Sequence, residues 1–355
     1  MAKDLKELLK NMVEENASDL HITANSPLHY RIDEKLVPIG SKPLSVEEAK
    51  NTVYSLLTKG QIEMFERDWE LDFSFGIENV ARYRVNVFKQ RSFVGCAIRL
   101  IPFEIRTFEK CGLPIKVVEQ FCHMSKGLVL VTGATGSGKS TSLAAMVDYI
   151  NTRRDAHIVT VEDPIEFVHK NKKCIVDQRE VYSDTRSFGA SLKHVLRQDP
   201  DIILIGEMRD LETIEAALII AETGHLVFAT LHTSDCMQTV NRVIDVFPAH
   251  QQQQIRTQLS FVLLGVISQQ LIPKKGEKGR VLATEVLVST PAIRSMIRES
   301  KAHQIYSTIQ TSQKAGMRTM NQTLSELCNK SIISREDAML RSIYPAELEK
   351  LIIDA

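Results

Sequence analysis

The chain has 355 residues, 43% hydrophobic and 25% charged, which is typical of a folded protein large enough for two domains. Lys and Arg together number 44, as do Asp and Glu, so the net charge is zero. Zero net charge argues against a general nucleic-acid or anionic-membrane binder, since those proteins usually carry a basic excess.

The cysteines and the apolar runs predict a reducing, cytoplasmic setting. None of the six cysteines belongs to a C-x-x-C pair, which favours buried free thiols over zinc ligands or disulfide bonds. The N-terminal segment lacks the uninterrupted apolar core of a signal peptide. The longest apolar run, at 259–267, is too short to span a bilayer. We therefore expect a protein that approaches a membrane only through partners.

Residues 1–100 are predicted to form a small α/β domain. Apolar residues at helical spacing indicate a first helix, and Ser45, followed by acidic residues, is a cap that predicts a second. Strand-like stretches lie at 19–22 and on both sides of the turn Asp33–Lys35. Three alternating segments then predict an antiparallel meander, at 71–75, 83–87 and 94–100.

A linker is predicted at 101–117, where Pro102, Gly112 and Pro114 interrupt any regular pattern. Beyond it strands and helices alternate, which predicts an α/β fold with a parallel sheet covered by helices. The predicted elements are a helix to 123, strands at 128–131, 157–161, 202–205, 226–231 and 281–288, and helices after 138, at 187–197 and at 211–222. Residues 291–355 are predicted to be mainly helical, with a break near Gly316.

A complete G-x-x-x-x-G-K-[ST] phosphate loop follows the apolar run 128–131 and precedes a helical pattern. Its glycines let backbone N–H groups turn inward around phosphate oxygens, and the loop ends at a helix N-terminus that favours an anion. Lys139 can reach the β- and γ-phosphates, and the Ser140 hydroxyl can ligate Mg²⁺. A glycine-rich turn that binds nothing is the alternative, and the flanking strand and helix count against it. The candidate nucleotide-binding residues are Gly133, Ala134, Thr135, Gly136, Ser137, Gly138, Lys139, Ser140 and Thr141.

Two groups of acidic residues follow predicted strands. Glu207 ends the strand at 202–205, where a carboxylate can orient the attacking water, although Gly206 stands where a metal-binding Asp is usual. Glu162, Asp163 and Glu166 lie in one short loop at a strand end, where α/β sheets bind ligands, and could hold Mg²⁺ or its waters. The alternatives are an ordinary strand-end acid and a solvated acidic turn.

Two histidines and several arginines are weaker candidates. His225 and His232 lie at opposite ends of one strand, so both cannot touch the same phosphate, and a lone histidine is more often structural. Arginines on the meander could stabilise charge on a transferring phosphoryl group, but the periodicity alone indicates solvated positions. These arginines are Arg82, Arg84, Arg91 and Arg99.

Four blocks in order, GATGSGKST, VEDPIE, RQDPDIILIGEMRD and TGHLVFATLHTSD, resemble the phosphate loop, Asp box, Walker B and His box of the secretion ATPases, the GspE/PilT family that powers type II secretion and type IV pili. A further segment, AIRSMIRE, looks like the AIRNLIRE motif of the family's pilus retraction branch, and the departures at Ser295 and Met296 keep its apolar–polar pattern. The segment comprises Ala292, Ile293, Arg294, Ser295, Met296, Ile297, Arg298 and Glu299.

The resemblance implies a homohexamer with a PAS-like domain at 1–100, a RecA-like ATPase domain at 118–290 and a helical C-terminal subdomain at 291–355. ATP, with Mg²⁺, would bind between the domains and next to the neighbouring subunit. Hydrolysis would drive pilus retraction and twitching motility, with an inner-membrane platform protein and a PilU-like paralogue as partners. No nucleic acid and no direct membrane insertion are expected.

The resemblance also implies roles for single residues. Glu207 matches the catalytic Walker B glutamate, Glu166 the functional Asp-box glutamate, and Lys139 the loop lysine. Ser140, Glu162, Asp163 and Glu166 would hold Mg²⁺, mostly through water. His225 and His232 match the His-box pair, and Arg84 and Arg99 match arginines that reach the nucleotide phosphates.

Three other functions compete with retraction. Pilus-assembly and type II secretion ATPases usually have a longer N-terminal region and often a four-cysteine zinc module, neither of which this sequence contains. A PilU-like accessory ATPase is closer, but AIRSMIRE counts against it. A nucleotide-binding scaffold without turnover is disfavoured by Glu207 and Glu166.

Overall fold

The computed structural model describes residues 5–15, 17–32, 35–77, 80–101 and 105–352, and all structural statements refer to these ranges. The predicted turn residues Asp33 and Glu34, and Pro102 of the predicted linker, lie outside them. The chain divides into two compact units, each described by itself. The first comprises Met1–Glu104 and Pro164–Val168, and the second Ile105–Asp163 and His169–Ala355.

The first unit is built on a six-stranded antiparallel sheet of order β3-β2-β1-β6-β5-β4. Its strands are β1 Asp19–Ile22, β2 Leu28–Ile32, β3 Lys35–Ile39, β4 Glu70–Ile77, β5 Ala81–Gln90 and β6 Phe93–Ile101. Along β5, Tyr83, Val85 and Val87 are fully buried while Arg84 is exposed, as the two-residue period of a strand requires. The predicted meander of β4, β5 and β6 is therefore confirmed.

Three helices pack with this sheet: α1 Leu5–Glu14, α2 Val46–Tyr54 and α3 Lys59–Asp68. Ser45 caps α2 as predicted, because its side chain accepts from the amide of Glu48 while Glu48 accepts from the amide of Ser45. That backbone hydrogen bond, with the charge of Lys42, lowers the pKa of Glu48 to about 2. Helix α3 was not predicted, although Thr58 and Gln61 form the same reciprocal cap at its start.

The second unit contains a seven-stranded sheet of order β13-β12-β7-β11-β10-β8-β9. Its strands are β7 Gly127–Thr132, β8 His157–Glu162, β9 Ile175–Glu180, β10 Ile202–Ile205, β11 Leu226–Leu231, β12 Leu263–Pro273 and β13 Arg280–Val288. All neighbouring strands pair in parallel except β12 and β13, which are antiparallel. The predicted parallel strands are confirmed, whereas β9 and β12 were not predicted.

Helices cover both faces of this sheet. Those before β13 are α4 Phe108–Cys111, α5 Ile115–His123, α6 Lys139–Arg153, α7 Phe188–Val195, α8 Leu211–Glu222, α9 Cys236–Asp245 and α10 Ala249–Val262. The segment 105–117, predicted as part of a linker, contains α4 and the start of α5. Phe108 and Val117 are buried in the same core as α6, so this stretch packs with the second unit.

The C-terminal region is helical, as predicted. Its helices are α11 Pro291–Arg298, α12 Ile305–Thr311, α13 Met320–Asn329, α14 Arg335–Arg341 and α15 Pro345–Leu351. Ile293 and Ile297 belong to the same apolar core as β7 and β11. Across the described ranges, no helix combines the length and the apolarity needed to cross a membrane.

Candidate nucleotide-binding site

The phosphate loop connects β7 to α6, and its shape depends on glycine. Gly133, Gly136 and Gly138 have φ angles of 139°, 77° and 92°, a region that side chains other than glycine rarely adopt. A Cβ on Gly133 would lie 2.4 Å from the carbonyl oxygen of Gln269. The glycines therefore let the backbone close tightly ahead of α6, which begins without a side-chain cap. Its first N–H groups are thus available to an anion.

Two side chains of the loop fit a bound phosphate. The ammonium of Lys139 donates to the carbonyl oxygens of Gly133 (2.8 Å) and Ala134 (3.0 Å), which places its charge over the loop. The hydroxyl of Ser137 is buried and has no hydrogen-bond partner among the described residues. A buried hydroxyl without a partner is costly, and a phosphate oxygen would satisfy it.

The carboxyl ends of β11 and β10 bring three further groups together. Glu207 follows β10, His232 follows β11, and these strands are neighbours in the sheet beside β7. Oε1 of Glu207 lies 3.0 Å from Nε2 of His232, and Oε2 lies 2.7 Å from a guanidinium nitrogen of Arg209. The side chain of Glu207 is 18% exposed, so its carboxylate is largely shielded but still reachable by water.

The surroundings of Glu207 keep it ionised. Burial alone would raise its pKa, but the hydrogen bond from Arg209 and the charges of His232, Arg209 and Lys139 outweigh burial and lower it. The same hydrogen bond raises the pKa of Arg209. Lys139 and Glu207 also lie at the same edge of one sheet, since each follows the carboxyl end of a parallel strand. Arg209 was not predicted from the sequence, although its position two residues after Glu207 in extended chain allows both side chains to lie on one side.

Gly206, which stands where an Asp is usual, packs tightly against the neighbouring strand. A Cβ on Gly206 would lie 3.1 Å from Cα of Glu162 and 3.2 Å from the carbonyl oxygen of Val161 on the neighbouring strand. The amide of Gly206 donates to that same carbonyl at 2.8 Å. Any side chain would therefore push β10 away from β8.

The acidic loop after β8 is divided between the two units. The carboxylate of Glu162 accepts hydrogen bonds from the hydroxyl of Thr160 (2.7 Å) and from the side-chain amide of Gln178 on β9 (3.1 Å). Asp163 is exposed, whereas Glu166 lies in Pro164–Val168, which groups with the first unit. The described residues contain no group of three or more His, Cys, Asp or Glu side chains placed to hold a metal ion.

His225 and His232 lie far apart, as their sequence positions predict. His225 precedes β11, and its Nδ1 lies 3.1 Å from the carbonyl oxygen of Ile220 and 3.2 Å from the hydroxyl of Thr223. The six residues of β11 separate the two histidines by about 20 Å. Of these two histidines, His232 is the one that lies at the phosphate-loop edge of the sheet.

The two candidate arginines of the first unit are direct cross-strand partners. Arg84 on β5 opposes Arg99 on β6, and Arg99 in turn opposes Asp19 on β1. Nε of Arg99 lies 2.8 Å from Oδ1 of Asp19, and Arg31 approaches the same carboxylate at 3.8 Å. This arginine row, Arg84, Arg99 and Arg31 around Asp19, lies on the sheet face opposite the apolar core.

The AIRSMIRE segment forms α11, which begins at the cap Thr290. Ile293 and Ile297 are fully buried as predicted, while Met296 is partly buried and lies 3.5 Å from the hydroxyl of Thr308. Arg294 and Arg298 are only partly exposed, so the predicted outer face is half-covered.

Known proteins share this architecture over nearly the whole chain. The family model described as "Type II/IV secretion system protein" matches residues 1–339. The type IV pilus retraction ATPase PilT of Pseudomonas aeruginosa is 49% identical over 96% of this chain and 99% of its own length. The type IV pilus ATPase PilU of the same organism is 40% identical over 98% of this chain and 91% of its own length.

A solved structure agrees with these matches. The crystal structure of the pilus retraction motor PilT with bound ADP superimposes with a TM-score of 0.91 at 51% identity, covering 97% of this chain and 98% of that one. The match to the family model, from residue 1 to residue 339, includes the phosphate loop and residues of both units. This chain therefore belongs to the type II/IV secretion system protein family.

Proposed function

We propose that this protein is an ATP-hydrolysing motor that drives the retraction of type IV pili. One observation carries the proposal: a glycine-dependent phosphate loop and an ionised glutamate, Glu207, meet at one edge of one sheet. The similarity to PilT over nearly the full length of both chains supports retraction as the output. The lower identity to PilU and the AIRSMIRE helix disfavour an accessory role.

The chemistry follows from the groups already described. ATP supplies the phosphoryl group, and Mg²⁺ supplies positive charge to its oxygens. The loop amides and Lys139 bind the phosphates, and Glu207 accepts a hydrogen bond from the attacking water and then its proton. A carboxylate has about four acceptor positions, so the contacts with Arg209 and His232 leave capacity for that water.

The cation and the remaining residues belong to the same proposal. Ser140 would hold Mg²⁺, while Glu162, Asp163 and Glu166 would contact its waters. Strand β8 lies three strands from β7, about 14 Å away at the usual spacing, which favours contact through water over direct ligation.

The proposed assembly is a homohexamer of PAS-like and RecA-like domains. In it, Arg84 and Arg99 would stabilise charge on the transferring phosphoryl group, and His225 would lie toward a neighbouring subunit. Hydrolysis would shift one domain against the other, next to an inner-membrane platform protein. The exposure of Arg84 and Arg99 supports this role for the first unit.

Replacing the loop lysine tests the enzymatic part. We expect Lys139→Ala to lower ATP hydrolysis by about a hundredfold or more, because the charge that faces the phosphates is lost. Lys193→Ala is the matched control: Lys193 forms an exposed ion pair with Glu212, so this variant should hydrolyse ATP normally. Wild-type turnover in folded Lys139→Ala protein would refute the proposed site.

Deleting the gene tests the direction of movement. A retraction motor predicts cells with excess pili that do not twitch, because pili are assembled but not withdrawn. Cells without pili would indicate assembly. Phosphate release that stays at background in the presence of the platform protein would indicate a scaffold.

A further inference from the structure

The side-chain amide of Gln178 joins two points of the acidic loop. Its Nε2 donates to Oε1 of Glu162 at 3.1 Å, and its Oε1 accepts from the backbone N–H of His169 at 2.7 Å. Gln178 lies on β9 directly opposite Thr160 on β8, whose hydroxyl donates to the same oxygen of Glu162 at 2.7 Å. Glu162 is thus positioned from its own strand and from the next.

The two points define the ends of a particular stretch of chain. The chain leaves the second unit after Asp163 and re-enters it at His169, and the five residues between group with the first unit. We call Pro164–Val168 the crossing segment. It carries Glu166. Gln178 therefore contacts Glu162, two residues before the crossing segment, and His169, the first residue after it.

The return point lies in the interior of the second unit. The imidazole of His169 is buried, and burial lowers its pKa to about 4, so the ring stays neutral and packs as part of the interior. A second amide holds the chain just beyond it: Asn151 of α6, fully buried, donates to the carbonyl oxygen of Lys170 at 2.8 Å and accepts from the amide of Lys172 at 3.1 Å.

We propose that Gln178 is a positioning residue for ATP hydrolysis: by hydrogen-bonding both Glu162 and His169, it fixes the ends of the crossing segment and so sets where Glu166 can act. The inference rests on the proposed function, in which Glu166 participates in hydrolysis. Helix α6 starts at Lys139, so Asn151 connects the same return point to the element that binds phosphate. Gln178 alone among these contacts joins the return point to the acid at the exit.

Steady-state hydrolysis by the full-length protein tests the proposal. Gln178→Leu removes both hydrogen bonds, and Gln178→Glu keeps an acceptor for His169 while placing a charge against Glu162. We expect kcat to fall about tenfold in both, the usual effect of losing a group that orients an active residue. KM for ATP should stay within about twofold, because the phosphate loop is untouched.

Two further measurements separate positioning from a loss of stability. Hydrogen exchange in a peptide spanning 163–170 should become faster in the variants, while the peptide containing the phosphate loop keeps its wild-type rate. In a double-mutant cycle, Gln178→Leu should add little to Glu166→Gln, because a residue that acts through Glu166 has no further effect once Glu166 is replaced.

Gln258→Leu is the matched control, since Gln258 also donates to a carboxylate, that of Glu222, but on the helical surface. It should keep the wild-type kcat. A wild-type kcat in Gln178→Leu, or fully additive effects with Glu166→Gln, would overturn the positioning role while Lys139→Ala still defines the enzyme. If Gln178→Leu does not fold, a wild-type kcat in Gln178→Glu is by itself enough to overturn the positioning role.

Discussion

Both carboxylate oxygens of Glu207 lie close to a nitrogen of a basic side chain, Arg209 for one and His232 for the other, and these neighbours follow two different strands. Arg209 and His232 compensate for the burial that would otherwise favour the protonated acid. An acid in this position remains a proton acceptor at the pH of the cell. The arrangement also fixes the orientation of the carboxylate, since a group bonded at both oxygens cannot rotate freely.

Removing Arg209 should therefore change the pH dependence of hydrolysis. Without its hydrogen bond and charge, burial dominates and the pKa of Glu207 rises. In Arg209→Met the fall in kcat/KM on acidification should begin at a higher pH than in the wild type. The difference in kcat/KM between the variant and the wild type should be smaller in alkaline solution, where Glu207 is ionised in both. A pH–rate profile measures this shift. The control is Arg67→Met, which breaks a surface pair with Asp68 and should leave the pH–rate profile unchanged. An unshifted profile in Arg209→Met would exclude Glu207 as the titrating group.

The sequence predicts Glu207 and Lys139 as site residues because a motif specifies their chemistry. It did not identify Arg209, because a pairing between neighbours two residues apart depends on the local backbone, which no motif specifies. The contact between Glu207 and His232 depends on β10 lying beside β11. Strand order is a property of the whole sheet and cannot be read from the spacing of residues along the chain.

At the scale of elements, one buried carboxylate joins two helices. Glu285 on β13 accepts from the amide of Cys236 at 2.9 Å and from the amide of Met320 at 3.3 Å, the first residues of α9 and α13. Helix N-termini carry unsatisfied N–H groups and favour negative charge. Burial nevertheless raises the pKa of Glu285 more than these hydrogen bonds lower it.

Replacing Glu285 should destabilise the second unit. Glu285→Leu leaves two buried amides without an acceptor, and we expect a loss of about 3 kcal/mol in the free energy of unfolding. Glu285→Gln keeps one acceptor and should lose less. Because folding raises the pKa of Glu285, the wild-type free energy of unfolding should decrease as the pH rises from the pKa of the unfolded state to that of the folded state. The glutamine variant has no titrating group there and should lack that decrease. Thermal melting measures both effects; equal melting temperatures for all three proteins would contradict this role.

The elements that the sequence predicted correctly have clear start and stop signals. Ser45 marks α2, and glycine-bounded apolar runs mark β7 and β10. The boundary between α10 and β12 has no such signal, since the helix ends at Val262 and the strand starts at Leu263 inside one apolar run. Gly265 makes the strand possible there, because a Cβ would lie 2.2 Å from Phe121, a contact that only the folded structure reveals.

For the whole molecule, the arginine row of the first unit is a local group of charges: Arg99 and Arg31 pair with Asp19, and Arg84 is the cross-strand neighbour of Arg99. Arg84 and Arg99 are exposed, and exposed guanidinium groups can bind an anion. In the proposed hexamer the anion is the nucleotide, and the phosphate loop and the arginines need not come from the same chain.

Mixing two inactive proteins tests this arrangement. Arg99→Ala keeps an intact phosphate loop, and Lys139→Ala keeps intact arginines. If the arginine acts on a neighbouring subunit, hexamers assembled from equal amounts should recover roughly a quarter of the wild-type rate, since each of two random neighbours is the required one half of the time. Mixed hexamers formed by denaturation and refolding, or by co-expression, provide the measurement. No recovery would indicate that the loop and the arginine of one site belong to the same chain.

The missing side chain at position 206 also has a consequence for how the cation should enter the proposed site. With Gly206 closely packed against Glu162, this position supplies no carboxylate, and in the proposed site the phosphate loop would contribute one neutral oxygen, that of Ser140. Mg²⁺ gives up its water reluctantly and is held mainly by charged oxygens. The protein without nucleotide should then have little affinity for free Mg²⁺, and the metal should enter as a complex with ATP. The phosphates themselves would be its principal ligands, so free ATP in excess of magnesium should act as a competitive inhibitor.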